Sequence, residues 1–159
     1  MRPQPFLVVT RRREDRIGFA WHYHAEYELV LIVESRGLRA VGDSIEPYED
    51  GDMVLLAPGV PHSYGSDDSG PRRKHVQIVT HIRATILGEE GLMSPALAPL
   101  PDLLRDAQRG VRFSGRGHAQ AAALLDRLVE REGMTQLSTL FELLDHLARH
   151  AERGFLATV

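Results

Sequence analysis

Two short stretches carry the residues best suited to chemistry. The first holds His22, His24 and Glu28 in an H-x-H-x3-E spacing; the second runs G-x6-P-G-x2-H from Gly51 through Pro58-Gly59 to His62. In an extended strand, residues two apart project to the same side, roughly 6–7 Å from each other. His22 and His24 therefore share a face, and Glu28 keeps that parity in the absence of a bulge. Glu26 has the same nominal parity, so a bulge near Ala25 exchanges the two carboxylates. Three imidazoles and a carboxylate converging from two strands make a first shell for a divalent first-row metal, with Zn²⁺, Ni²⁺, Fe²⁺ and Mn²⁺ all compatible. Other histidines, His118, His146 and His150, fall in helical stretches. His146 and His150 lie four apart, and a solvated helix face is the expectation for them.

Positioning those residues requires strands. Phe6–Thr10 reads as a first strand, followed by the charged run Arg11-Arg12-Arg13-Glu14-Asp15-Arg16, whose acidic members suit a solvated strand end better than a polyanion contact. Glu28–Glu34 and Met53–Ala57 are apolar strands, and Arg36-Gly37, Gly42-Asp43 and the PYEDGD segment (47–52) are turns. Pro58-Gly59-Val60-Pro61 forms a rigid turn that delivers His62. Ser63–Arg73 reads as a polar rim loop. His75–Ile82 alternates, with His75, Gln77, Val79 and His81 on one side. With that side turned inward, Gln77 and His81 line a ligand site, and Tyr64 near the rim joins them.

After Gly88 the apolar period changes from two to nearly four. A short helix is expected near Asp102–Gln108, with Pro101 at its start and Gly110 beyond its end. Ala121, Leu124, Leu125, Leu128 and Val129 mark an amphipathic helix over about Gly117–Glu132. Beyond Gly133, with Thr135 as candidate N-cap, Leu137, Leu140, Phe141, Leu144 and Leu147 repeat the stripe, and the segment Glu152-Arg153-Gly154 ends it. This second helix carries apolar surface on more than one face, which suits either a cover over the strands or a homodimer contact through those five residues. The dimer contact is the favoured expectation.

Composition bounds the rest. The chain has 159 residues, 43% hydrophobic and 26% charged, ordinary for one globular domain. A net charge of −3 argues against nucleic-acid binding by this chain alone. Cysteine is absent, which excludes disulfides and thiolate metal ligands. The apolar runs are far shorter than the ~20 residues of a membrane span, and a cytoplasmic location is expected. No Ser-His-Asp set, phosphate loop or dinucleotide fingerprint is present.

The two histidine stretches resemble the paired motifs of the cupin superfamily, and by that resemblance His22, His24, Glu28 and His62 match its metal-ligand positions. Ala57 stands where the motif has its first proline, and Ser66 where it has asparagine. Over most of the chain, WHYHAEYELVLIVESRG, VGDSIEPYEDGDMVLLAPGVPH and LLRDAQRGVRFSG resemble the amino-terminal sensor domain of AraC-type transcription regulators. The resemblance implies a mainly β fold: a cupin-like antiparallel β-barrel (double-stranded β-helix), residues 1–90, followed by two or three C-terminal α-helices within 91–159. It also implies a small-molecule effector, helices that dimerise, and a DNA-binding domain that is not present in this chain. The alternative is a stand-alone cupin metalloenzyme, a dioxygenase or isomerase acting on a small polar substrate.

Overall fold

The computed structural model describes residues 5–67, 69–71, 73–86, 88–149 and 151–158, so His150 lies outside the described residues. Two antiparallel sheets and a layer of helices make up the fold. The strands are β1 (Leu7–Glu14), β2 (Tyr27–Glu34), β3 (Gly37–Val41), β4 (Ser44–Tyr48), β5 (Met53–Leu56), β6 (His62–Ser66), β7 (His75–Ile82), β8 (Val111–Ser114) and β9 (Glu152–Phe155). The larger sheet has the order β1-β7-β2-β5-β8-β9 and the smaller one β4-β3-β6. The α-helices are α1 (Glu89–Leu92), α2 (Leu100–Asp106), α3 (His118–Glu130) and α4 (Gly133–Arg149). The expected architecture, antiparallel strands followed by helices, is the one the chain adopts.

Alternation along the central strands builds two cores from one sheet. On β2, Leu29 and Leu31 enter a core with Met53 and Leu55 of β5, Ile78 and Ile82 of β7, and the buried leucines of α2, α3 and α4. On the opposite face, Val30 and Ile32 meet Tyr48 and Tyr64 of the small sheet. Burying each of these leucines stabilises the fold by roughly 1.5–3 kcal/mol. A strand with both faces covered reads as a continuous apolar run, which explains the sequence YELVLIV. No helix among the described residues is long and apolar enough to cross a membrane.

Several local expectations change. Ser63–Ser66, expected in a rim loop, is strand β6, because its backbone pairs with Gly37–Ala40 of β3. β1 runs on through the arginines to Glu14, in register with β7 down to His75. The segment after α4 forms β9 against β8, so the polypeptide beyond residue 90 supplies strands of the large sheet as well as helices. Thr135 is no N-cap: α4 begins at Gly133, and the Thr135 hydroxyl donates to the Glu132 carbonyl at 2.8 Å. His146 is not on a solvated face. It is buried, and its Nε2 donates to the Gly117 carbonyl at 2.8 Å.

Three of the five stripe residues on α4 are buried within the chain itself. Leu140, Leu144 and Leu147 are 0%, 2% and 0% exposed, in the core shared with α2, α3 and the sheet, and Phe141 packs against that core half-buried. Leu137 is also half-buried. Leu140, Leu144 and Leu147, with Phe141 beside them, thus pack within the chain's own core, as the covering alternative expects.

Candidate functional site

The site forms where the segment before β2, the turn before β6 and strand β7 meet at one end of the space between the sheets. His22 is placed by a β-bridge to His62: its amide donates to the His62 carbonyl at 3.1 Å, and its carbonyl accepts from the His62 amide at 2.9 Å. Gly59, at φ 78°, turns the chain so that its amide reaches the His24 carbonyl at 2.8 Å. A side chain at that φ would be strained. The Pro-Gly turn thus ties both histidine stretches together. Ring centroids lie 4.4 Å apart for His22 and His62, and 5.2 Å for His24 and His62.

Backbone carbonyls orient the three imidazoles. His22 Nδ1 donates to the Ala20 carbonyl at 2.7 Å, His24 Nδ1 to that of Glu26 at 3.1 Å, and His62 Nδ1 to that of Val60 at 2.8 Å. A carbonyl oxygen only accepts, so each Nδ1 carries a proton and each Nε2 is the atom left to face the site. Metal-bound histidines are held in just this way, by the ring nitrogen that does not ligate. Each of the three offers a nitrogen within 4.8 Å of the others.

Glu28 supplies the carboxylate. It is buried and faces the imidazoles, whereas Glu26 stays on the outer side, 3.8 Å from His24 Nδ1 and 3.9 Å from Arg83 Nε. The ambiguity between these glutamates is thereby resolved in favour of Glu28. Its Oε2 accepts from His24 Nε2 at 2.9 Å and from His81 Nε2 at 2.7 Å, and its Oε1 lies 3.4 Å from His62 Nε2. Burial pushes the Glu28 carboxyl up, but the hydrogen bonds from His24 and His81 and the nearby His62 imidazole outweigh it and hold the group well below the usual carboxylate range. The same bond to Glu28, opposed by burial, raises His24 above the ordinary imidazole value. The His24 Nε2 proton donated to Glu28 stands where a cation would sit.

Of the four sequence-predicted metal residues, His22, His24 and His62 form one group of close donor atoms, and Glu28 adjoins it at His24 and His62. His81, expected to face a ligand, lines the cavity and also donates to Glu28, lying with His24 and Glu28 in a second group of close donor atoms. The inward side of β7 was legible from its alternation; the pairing of His81 opposite Glu28 was not. Gln77 and Tyr64 line a cavity of about 230 Å³ that also touches His22, Glu28, His62 and His81, with Arg12 and Glu14 at its wall. His62 Nε2 and the Tyr64 hydroxyl are buried there without a hydrogen-bond partner. Burial pushes the Tyr64 phenol well up, so it is a neutral donor. A broader groove of about 1290 Å³ on the outer surface, lined by Arg16, Phe19, Arg36 and Asp67 among others, contains none of the site's imidazoles. The smaller cavity is the one with the chemistry.

The donor set fits a divalent metal: three imidazoles anchored through Nδ1, one ionised carboxylate, and a buried His62 Nε2 without a hydrogen-bond partner. Sequence reasoning missed the buried network behind it, in which Arg39 of β3 donates to Asp52 and Glu46. The alternation that turns Leu38 outward and Arg39 inward was the available signal.

Comparison with known proteins gives a family and weak structural likenesses. Among curated protein sequences none matches this chain. Similar solved structures include a provisionally assigned mannose-6-phosphate isomerase from Ralstonia eutropha JMP134, 16% identical, with TM-score 0.44, covering 53% of this chain and 81% of that one. A cupin protein from Bacteroides fragilis is 13% identical, with TM-score 0.43 and coverage of 52% and 70%. The oxalate decarboxylase of Bacillus subtilis, with Mn(II) centres, is 17% identical, with TM-score 0.40 and coverage of 50% and 22%. At these scores the likenesses carry no argument about activity. The family model described as the AraC-like ligand binding domain matches residues 5–153. That span takes in every strand and helix described except the last two residues of β9, and the chain belongs to the AraC-like ligand-binding domain family.

Proposed function

We propose that this domain senses a small-molecule effector in the cavity between its sheets, and that a divalent metal held by His22, His24, Glu28 and His62 forms part of that binding site. The observation that carries the reading is the set of three imidazoles whose Nδ1 atoms are fixed by backbone carbonyls, with the buried Nε2 of His62 unpartnered. A bound divalent ion supplies a Lewis-acidic position for an oxygen-bearing ligand. Tyr64 offers that ligand a neutral hydroxyl donor, and Gln77 a carboxamide, from the cavity wall.

Regulation follows from the strands that carry the site. Glu28 faces the cavity while its neighbours Leu29 and Leu31 pack among the helices, and His81 and Ile82 divide in the same way on β7. A ligand that displaces Glu28 or His81 thereby acts on the strands beneath α3 and α4. In the intact regulator, a DNA-binding domain reads that change.

The test is elemental analysis of tag-free protein purified without chelator, beside the His24→Ala variant. One metal per chain, absent from the variant, is expected. A metal-free wild type that also fails to take up Zn²⁺ or Mn²⁺ on titration sinks the metal centre and leaves a plain ligand-binding barrel. Turnover of a small substrate by the metal-loaded domain, lost in His62→Ala, would replace the sensor with an enzyme.

A further inference from the structure

We propose that His81 is a positioning residue for the metal centre: from β7 it fixes the carboxylate of Glu28 so that one oxygen stays turned to the imidazoles. The inference rests on the metal centre proposed above and adds a residue outside its four ligands.

Glu28 and His81 are direct partners across the antiparallel pair β2–β7. Such partners project from the same face with Cβ atoms about 4.5–5.5 Å apart, and here the His81 ring closes on Glu28 Oε2 at 2.7 Å. That oxygen also accepts from His24 Nε2 at 2.9 Å, whereas Oε1 makes only a looser approach, 3.4 Å, to His62 Nε2. The two carboxylate oxygens are therefore unequal. Oε2 is held by donors, and Oε1 is turned toward the unpartnered nitrogen.

His81 itself does not belong to the three-imidazole group. The donor atoms of His22, His24 and His62 lie within 4.8 Å of one another, and His81 shares such a group only with His24 and Glu28. Glu28 reaches the three imidazoles through Oε1, 3.4 Å from His62 Nε2, whereas His81 meets the group through Glu28 Oε2, so His81 acts through Glu28. Its part grows when the centre is loaded. An ion on His24 Nε2 takes the lone pair that now holds a proton for Glu28, and His81 remains as the side chain donating to Oε2.

The experiment measures Zn²⁺ affinity by chelator competition, and the visible spectrum with Co²⁺, on the full chain and its His81→Ala and His81→Gln variants. Melts of the metal-free proteins check folding. We expect His81→Ala to bind one Zn²⁺ about 10–100-fold more weakly, the usual effect of losing such an outer partner, with the Co²⁺ band positions unchanged. Glutamine, whose Nε2 amide donates from a similar reach, recovers most of the affinity. Equal affinity in wild type and His81→Ala overturns the positioning role alone. A changed Co²⁺ spectrum in His81→Ala without rescue by glutamine makes His81 a ligand and also overturns it. Wild type that binds no Zn²⁺ overturns the centre and this role together.

Discussion

Asp52→Asn is expected to cost more stability than any surface charge in this protein. Arg39 and Asp52 have side chains only 2% and 3% exposed, and they pair inside the fold at the base of the small sheet. Each has a second partner at the margin: Glu46 Oε2 is 3.0 Å from Arg39 Nη2, and Arg112 Nε is 3.3 Å from Asp52 Oδ1. Glu46 and Arg112 are 44% and 51% exposed, so each contributes at most about 1 kcal/mol of screened attraction. Removing the Asp52 charge leaves a buried guanidinium with Glu46 alone. Breaking a buried pair in this way costs about 3–5 kcal/mol, and the residual partner places the loss near the lower end, about 3 kcal/mol. For a chain of this size that lowers the melting temperature by about 6–12 °C.

Urea unfolding at pH 7, extrapolated to water, measures the loss directly. The informative companion is Arg39→Met with Asp52→Leu, which removes both charges and keeps the volume filled. Because neither ion is then stranded, the double variant should lie within about 1 kcal/mol of wild type or above it. A loss below about 1 kcal/mol for Asp52→Asn, or a double variant as unstable as the sum of its singles, refutes the reasoning. In that event the pair is hydrated or its partners rearrange freely.

Three further outcomes are expected. Leu147→Ala, at a fully buried position of α4, should cost about 2–5 kcal/mol and leave the sedimentation coefficient unchanged at temperatures where it is folded; loss of a dimer with little loss of protomer stability would restore the dimer contact. Tyr64→Phe should raise the stability of ligand-free protein by about 1 kcal/mol in chemical denaturation, since it removes a buried hydroxyl that has no partner; a clear loss would mean that the hydroxyl is already satisfied. Burial holds His75 below the ordinary imidazole value, so the unfolded chain takes up its proton first and stability falls as pH drops below about 6.5. His24 is shifted upward, and its contribution, complete below 6.5, disappears as pH rises through its folded value. In chelator-treated protein, His75→Asn should therefore flatten the acid side of the stability profile, and an unchanged acid limb would contradict a neutral buried His75.

How much of this was legible in the sequence depended on whether the deciding interaction is local. His22, His24 and Glu28 declared themselves through a strand's period of two, and His62 through a Pro-Gly turn, because both are properties of a few neighbouring residues. The choice of Glu28 over Glu26 needed the fold, since both share one parity and only pairing with β5 and β7 turns Glu28 inward. His81 shows the same boundary: alternation gave its side of the strand, but its partner depends on a register set across 53 residues of chain. The stripe on α4 was correctly apolar, and periodicity carries no information on whether a second copy or the chain's own sheet covers it. Arg39 was hidden for a further reason. Burying a guanidinium is unfavourable without anions at the right distance, and its partners are Glu46 on β4 and Asp52 just before β5, the last residue of PYEDGD, a stretch with the composition of a turn. The carboxylates that signalled a solvated turn are in part the ones that let an arginine go inside.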